Sequence, residues 1–174
     1  NDAYWGEGEP YLDEIVYRVL PDRAAAAGAL EAEEIDLAAF SAVPLADLDR
    51  ISKVPGLTVI SKGYEALTYQ LVVEINHHRK ELADLKVRQA IAHAIDRDFV
   101  VNTIFLGYAK TSTGPVPRYD SQFYTDDVPS YPFDVAKANA LLDEAGYKRG
   151  KDGTRFTLKL LPAPYFNETK QFGD

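Results

Sequence analysis

The side chains able to do chemistry in this chain are carboxylates, three histidines, scattered serines and a large set of aromatics. Glu33-Glu34, Asp47 with Asp49, Asp126-Asp127 and Asp143-Glu144 are the acidic pairs. A general acid and its base must converge on one substrate atom, whereas sequence neighbours on a helix point apart. These pairs read as solvated helix faces and caps. His77-His78 invites a metal, but adjacent side chains diverge, and a helical ligand pair is spaced at i and i+4. His93 lies well away in sequence, and with no cysteine a thiolate site is excluded. Neither a metal nor a cofactor is expected.

Nucleophiles are equally thin. Ser41, Ser52, Ser61, Ser112, Ser121 and Ser130 all lie outside a Gly-x-Ser-x-Gly elbow. Gly6 and Gly8 do not join a strand to a helix, and Gly146, Gly150 and Gly153 read as a helix stop and turns, so no phosphate loop is present. Asn167-Glu168-Thr169 is a formal glycosylation sequon. The 11 Tyr, 8 Phe and 1 Trp stand out more. Trp5, Tyr11, Phe40, Tyr64, Tyr69, Tyr119, Phe123, Tyr124 and Tyr131 can line a cleft in which a ligand stacks on ring faces and bonds to hydroxyls. The same rings serve equally well as core and lid packing.

The elements that must position these groups follow from periodicity. Residues 14–20 (EIVYRVL) are β-branched and aromatic and read as a strand covered on both sides. Asp22 caps an Ala-rich helix over 23–33, residues 35–38 form a short buried strand, and Pro44 opens a helix to about residue 53. Residues 57–61 and 67–75 read as two more strands. Helices then dominate: Asp84 caps one with Val87, Ala90, Ile91, Ala94 and Ile95 inward, and Asp96 caps the next, with Phe99, Val100, Ile104 and Phe105 inward and Gly107 at its stop. Residues 111–132, with Pro115, Pro117, Pro129 and Pro132, carry no period, which is unusual enough in a compact domain to suggest function or packing against something else. Asp134 caps a helix ending at Gly146, and residues 156–161 alternate as a final strand. The order predicts an α/β fold with mixed sheets flanked by helices, and a domain boundary near 69–77.

Composition bounds the partners. The chain of 174 residues carries 19 Lys+Arg against 27 Asp+Glu, a formal charge of −8, without the clustered cations that a nucleic-acid backbone requires. Its longest charge-free run, 99–109, is far short of the roughly 20 residues that span a bilayer. It begins with Asn1 and contains no Met, as expected of a chain that has lost a leader or is a piece of something longer.

Several stretches, taken in order, resemble the extracytoplasmic solute-binding proteins of ABC importers, in the family 5 group that binds oligopeptides, dipeptides, opines and nickel complexes. They are Tyr4-Trp5 with Pro10-Tyr11-Leu12-Asp13-Glu14-Ile15 and Asp22, then Glu34-Ile35-Asp36-Leu37, then Val87-Arg88-Gln89-Ala90-Ile91-Ala92-His93-Ala94-Ile95-Asp96-Arg97. Gly107, Gly114-Pro115-Val116-Pro117, Tyr131-Pro132-Phe133-Asp134, Ala138, Leu141-Leu142 and Glu144-Ala145-Gly146-Tyr147 continue the series. Two positions depart from the family pattern: Glu33 stands where a helix-ending Gly is usual, and Glu81 where the connector commonly has Pro.

The resemblance implies an internal piece of a two-lobed, type II periplasmic-binding-protein-like fold. Residues 1–72 would be a late part of the first lobe and 73–174 an early part of the other large lobe, hinged around 69–77. It implies ligand contacts from Ala39, Phe40 and Ser41 on one loop, and from Tyr69 and Asn76 at the lobe connection. It further implies capture of a peptide-like or chelate ligand, delivery to ABC permease subunits, a periplasmic or lipid-anchored location, a monomer, and no catalysis. A small hydrolase-like α/β enzyme, or a free-standing interaction module, is the alternative. The enzyme would need one of the serines to meet His77, His78 or His93.

Overall fold

The computed structural model describes residues 4–40, 42–63, 70–163 and 167–173. They pack as two compact units, Asn1–Val59 and Ile60–Asp174.

In the first unit, α1 (Arg23–Glu31) begins where Asp22 Oδ1 accepts the Ala25 amide at 2.7 Å. It ends in a Schellman pair, with Glu34 N donating to Ala29 O at 2.8 Å and Glu33 N to Leu30 O at 3.1 Å. That geometry puts Glu33 at φ 56, so where the family pattern has a helix-ending Gly this chain holds a residue that bears left-handed strain. The alanine stripe then does the packing: Ala26, Ala27 and Leu30 bury with Val43 and Ile51, and Leu20, Ile35, Ala38, Leu48 and Leu57 close the rim. A 3-10 turn, Leu45–Asp47, runs into α2 (Leu48–Ile51) where one longer helix was expected. Arg50 on α2 pairs with Glu31 on α1 and with Asp47 at 3.1 Å. The two carboxylates, Glu31 foremost, hold the guanidinium charged and raise its pKa.

In the second unit, a single turn, α3 (Lys80–Ala83), stands in the polar connector, and α4 (Leu85–Ala94) follows from the Asp84 cap. Asp96 caps α5 (Arg97–Phe99), which widens into a π-turn over Val100–Ile104. α6 (Val135–Glu144) starts at the Asp134 cap and stops at Gly146, φ 85. α7 (Asn167–Gly173) lies beyond the final expected strand. Helices α4 and α6 are antiparallel neighbours, because Asp134 N meets His93 O at 2.8 Å at one end and Lys86 Nζ meets Glu144 at 2.9 Å at the other. Ala90 and Ala138, both buried, are small enough to let the two helices close up.

Two expectations are corrected. The buried stripe of α4 is Val87, Ala90 and His93, while Ala94 is exposed; and Phe99 turns outward. The polar His93 earns its inward place by making a hydrogen bond there. Secondly, there is no β-strand among the described residues, so 14–20, 35–38, 57–61, 70–75 and 156–161 are unpaired. Their β-branched and aromatic content favours extended chain, but a strand exists only where a neighbour completes its ladder. Tyr17 and Val19, expected to be covered, are 88% and 94% exposed, and Leu37 of the expected buried strand is 77% exposed. Residues 67–69 of the fourth expected strand lie outside the described residues.

Candidate functional site

The loop after α1 leaves the core at Ala38 and returns to it at Val43. Between them Ala39 O accepts the Ala42 amide at 3.2 Å, and Phe40 takes φ 57 with its side chain 59% exposed. A bulky residue in the left-handed region is costly, about 1 kcal/mol or more, and this one lies between half-buried Ala38 and buried Val43. Ala39 and Phe40 therefore sit on an outward bend held at both ends. Ser41 lies outside the described residues. Glu34, just ahead of the bend, pairs with Arg18 at 2.8 Å.

In the second unit, Asn76 is exposed and closes an Asx turn, its Oδ1 accepting from His78 N at 3.0 Å while its carbonyl accepts from Arg79 N at 3.2 Å. Tyr69 lies outside the described residues. Ahead of Asn76, Gln70 Nε2 donates to Ser112 Oγ at 3.2 Å and lies 3.4 Å from Gly114 O. Ser112 Oγ in turn lies 3.0 Å from Gly114 O and 3.3 Å from Val116 O. Reading the sequence did not single out Gln70, and a pairing across 42 positions leaves no local signal to find it by.

The aperiodic segment 111–132 is braced by its own side chains. Arg118 Nε donates to Thr111 O at 3.2 Å, its guanidinium stacks over Tyr124 at 5.1 Å, and Tyr124 Oη donates to Asp126 at 2.5 Å. Its end is clamped to α4: His93 Nδ1 donates to Pro132 O at 2.6 Å, and Arg97 donates to Tyr131 O at 3.0 Å and Ala92 O at 3.1 Å. Arg88, expected to reach a carbonyl or a carboxylate, donates to Leu82 O and Ala83 O and so caps α3. Arg155 holds α6 to the 155–161 segment through Asp143, Asn139 and Tyr147 O. That guanidinium, assisted by Lys148 and Arg149, holds the Asp143 carboxyl below its usual range.

The acidic pairs that first suggested chemistry are engaged in ion pairs instead: Glu34 with Arg18, Asp47 with Arg50, Asp49 with Lys53, Asp126 with Arg118, Asp143 with Arg155 and Glu144 with Lys86. His93 commits its Nδ1 to Pro132, and the Ser112 hydroxyl faces the Gly114 and Val116 carbonyls. The sequon lies at and within α7, where Thr169 is buried and its hydroxyl donates to Ala163 O at 2.5 Å. No cluster of three or more His, Cys, Asp or Glu able to hold a metal occurs among the described residues. No helix among them is long and apolar enough to cross a membrane.

Comparison with known proteins gives this arrangement a context. The family model of bacterial extracellular solute-binding proteins, family 5 Middle, matches residues 1–171. The oligopeptide-binding protein AppA of Bacillus subtilis is 33% identical over 168 residues, which cover 92% of this chain and 30% of AppA. The ABC transporter-associated periplasmic binding protein DppA from Helicobacter pylori, in complex with the peptide STSA, superposes with a TM-score of 0.65 at 29% identity, covering 86% of this chain and 28% of that one. NikA from Brucella suis, in complex with Fe(III)-EDTA, gives a TM-score of 0.65 at 29% identity, covering 87% and 30%. The chain thus spans about a third or less of the relatives it matches.

Proposed function

The chain belongs to the bacterial extracellular solute-binding proteins, family 5, and from that premise we propose that its protein captures a peptide-like or chelate ligand and delivers it to an ABC permease. The observation that carries this reading is the family match along residues 1–171. In the proposed protein, residues 1–72 form part of one lobe and 73–174 part of the other, and the unpaired segments 14–20 and 57–61 join mixed sheets completed by the rest of a two-lobed α/β fold. Ligand binding and lobe closure are then linked, because a ligand touching both lobes favours the closed arrangement by its differential affinity.

Ala39, Phe40 and Ser41 would supply one wall, the Phe40 ring by apolar contact and the bend's backbone by hydrogen bonds. Tyr69 and Asn76 would contribute from the connection. The ligand leaves chemically unchanged, and the protein works outside the cytoplasm, periplasmic or lipid-anchored, as a monomer whose contact with the membrane is through the permease or its anchor.

Titration calorimetry of the full-length protein tests this. The tetrapeptide Ser-Thr-Ser-Ala, a dipeptide and a nickel chelate are the probes, with mass spectrometry of any molecule carried through purification. Saturable binding of one probe, or a peptide or chelate retained from the cell, is expected. Turnover of the bound molecule would overturn the reading.

A further inference from the structure

The segment from Gln70 to Asn76 has no ladder neighbour among the described residues. Its half-buried end is tied by Gln70. The Gln70 amide has two N–H donors, and two oxygens receive them: Ser112 Oγ at 3.2 Å and Gly114 O at 3.4 Å. Ser112 Oγ both accepts from Gln70 and faces the Gly114 carbonyl at 3.0 Å. The three groups form a closed ring in which each bond orients the next.

We propose that Gln70 is a positioning residue, a latch that joins the 70–76 connector to the 112–117 loop so that both move as one body when ligand is taken up. The role in uptake rests on the binding-protein reading above; the latch itself does not. Pro115 and Pro117 lock φ at two of the loop's residues, so a pull at Gly114 is passed along a stiff path rather than absorbed. Arg118, the residue immediately after the loop, continues the brace to Thr111 O and the Tyr124 ring. A carboxylate at position 70 would keep the size but lose both donors and set a negative charge against the Gly114 carbonyl oxygen.

The test is limited trypsin digestion of the full-length protein, following the bonds after Lys110 and Arg118, which flank the loop. Gln70→Ala and Ser112→Ala should each speed those cuts about five-fold, the size of one lost part-buried hydrogen bond, and the double variant should add little to either. Gln70→Glu should behave like Gln70→Ala. Cleavage after Arg50 and Lys53, in the other compact unit, should stay as in wild type. Unchanged loop cleavage in the variants, additive effects in the double variant, or a uniform rise that includes Arg50 and Lys53 would each overturn the latch. With Ser-Thr-Ser-Ala present, wild type should become slower to cut at Lys110 and Gln70→Ala should not. If the peptide binds wild type but protects both proteins alike, the coupling to ligand falls. If the peptide fails to bind wild type while the ligand-free differences hold, the latch stands and the peptide reading fails.

Discussion

His93 Nδ1 lies 2.6 Å from the Pro132 carbonyl oxygen, a bond across 39 positions made by a side chain only 2% exposed. A carbonyl cannot donate, so Nδ1 carries the hydrogen, and the Tyr131 ring packs against the imidazole in a T-shaped pair with centroids 5.5 Å apart. The bond fixes where the aperiodic segment 111–132 ends and α6 begins, since Asp134 N returns to the His93 carbonyl.

Replacing this imidazole removes both a buried hydrogen bond and packed volume. His93→Ala is expected to cost about 2–4 kcal/mol, combining the orphaned Pro132 carbonyl with the cavity left behind. Urea unfolding of the protein measures it. A loss within about 0.5 kcal/mol, the range of an ordinary surface change, would show that the bond contributes nothing to the clamp.

Glu33 supplies the opposite case, a residue that its own backbone disfavours. At φ 56, inside a Schellman stop, a glycine would relieve left-handed strain of about 1–2 kcal/mol while adding unfolded-state entropy that offsets part of it. Glu33→Gly should therefore raise stability by about 0.5–1 kcal/mol, whereas Glu33→Val should lower it, as seen in paired denaturation curves. A glycine variant less stable than wild type would mean the Glu33 side chain makes a contact worth more than the strain.

Acid stability should depend on the Asp143–Arg155 pair. The Asp143 carboxyl is lowered below its ordinary value of 3.8 by Arg155. A carboxylate held low in the folded state binds its proton more readily when unfolded. Its contribution is then complete above the unfolded value and drains away as pH falls through the folded one. The denaturation midpoint of wild type should approach that of Asp143→Asn as pH falls below about 4. A gap between the two proteins that is constant across this range would remove the pair from the acid response.

The helical half of the fold was readable because its signals are local. Asp22, Asp84, Asp96 and Asp134 each sit one residue ahead of an apolar-periodic run, and each is a cap. What was not readable depends on distant partners. Val19 is β-branched within an apolar run, which is all the sequence can say of it, and no described residue completes a ladder beside it. The α4 face was misjudged for a related reason: hydropathy ranks His93 as polar, and only the Pro132 carbonyl, contributed from a distant segment, makes burying it favourable. Among the expected contact residues, resemblance pointed to Phe40, but its left-handed backbone is one that a phenylalanine does not announce.

The 174-residue chain by itself should bind peptide negligibly, even though it holds three of the proposed contact residues, Ala39, Phe40 and Asn76. Its sequence relatives and structural neighbours are roughly three times as long as the stretch they share with it. A clamp gains affinity only from contacts that both walls make at once, and partial walls leave most of a peptide's surface in water, where burial of about 70–90% is usual for a tight site. The unpaired 14–20 segment adds a second cost, because Tyr17 and Val19 would remain solvated. Calorimetry of the isolated chain with Ser-Thr-Ser-Ala should give no heat of binding at peptide concentrations up to about 1 mM, corresponding to less than about 4 kcal/mol of affinity. The full-length protein under the same conditions should saturate. Micromolar binding by the isolated chain would place a complete site within these residues and remove the need for walls supplied from elsewhere.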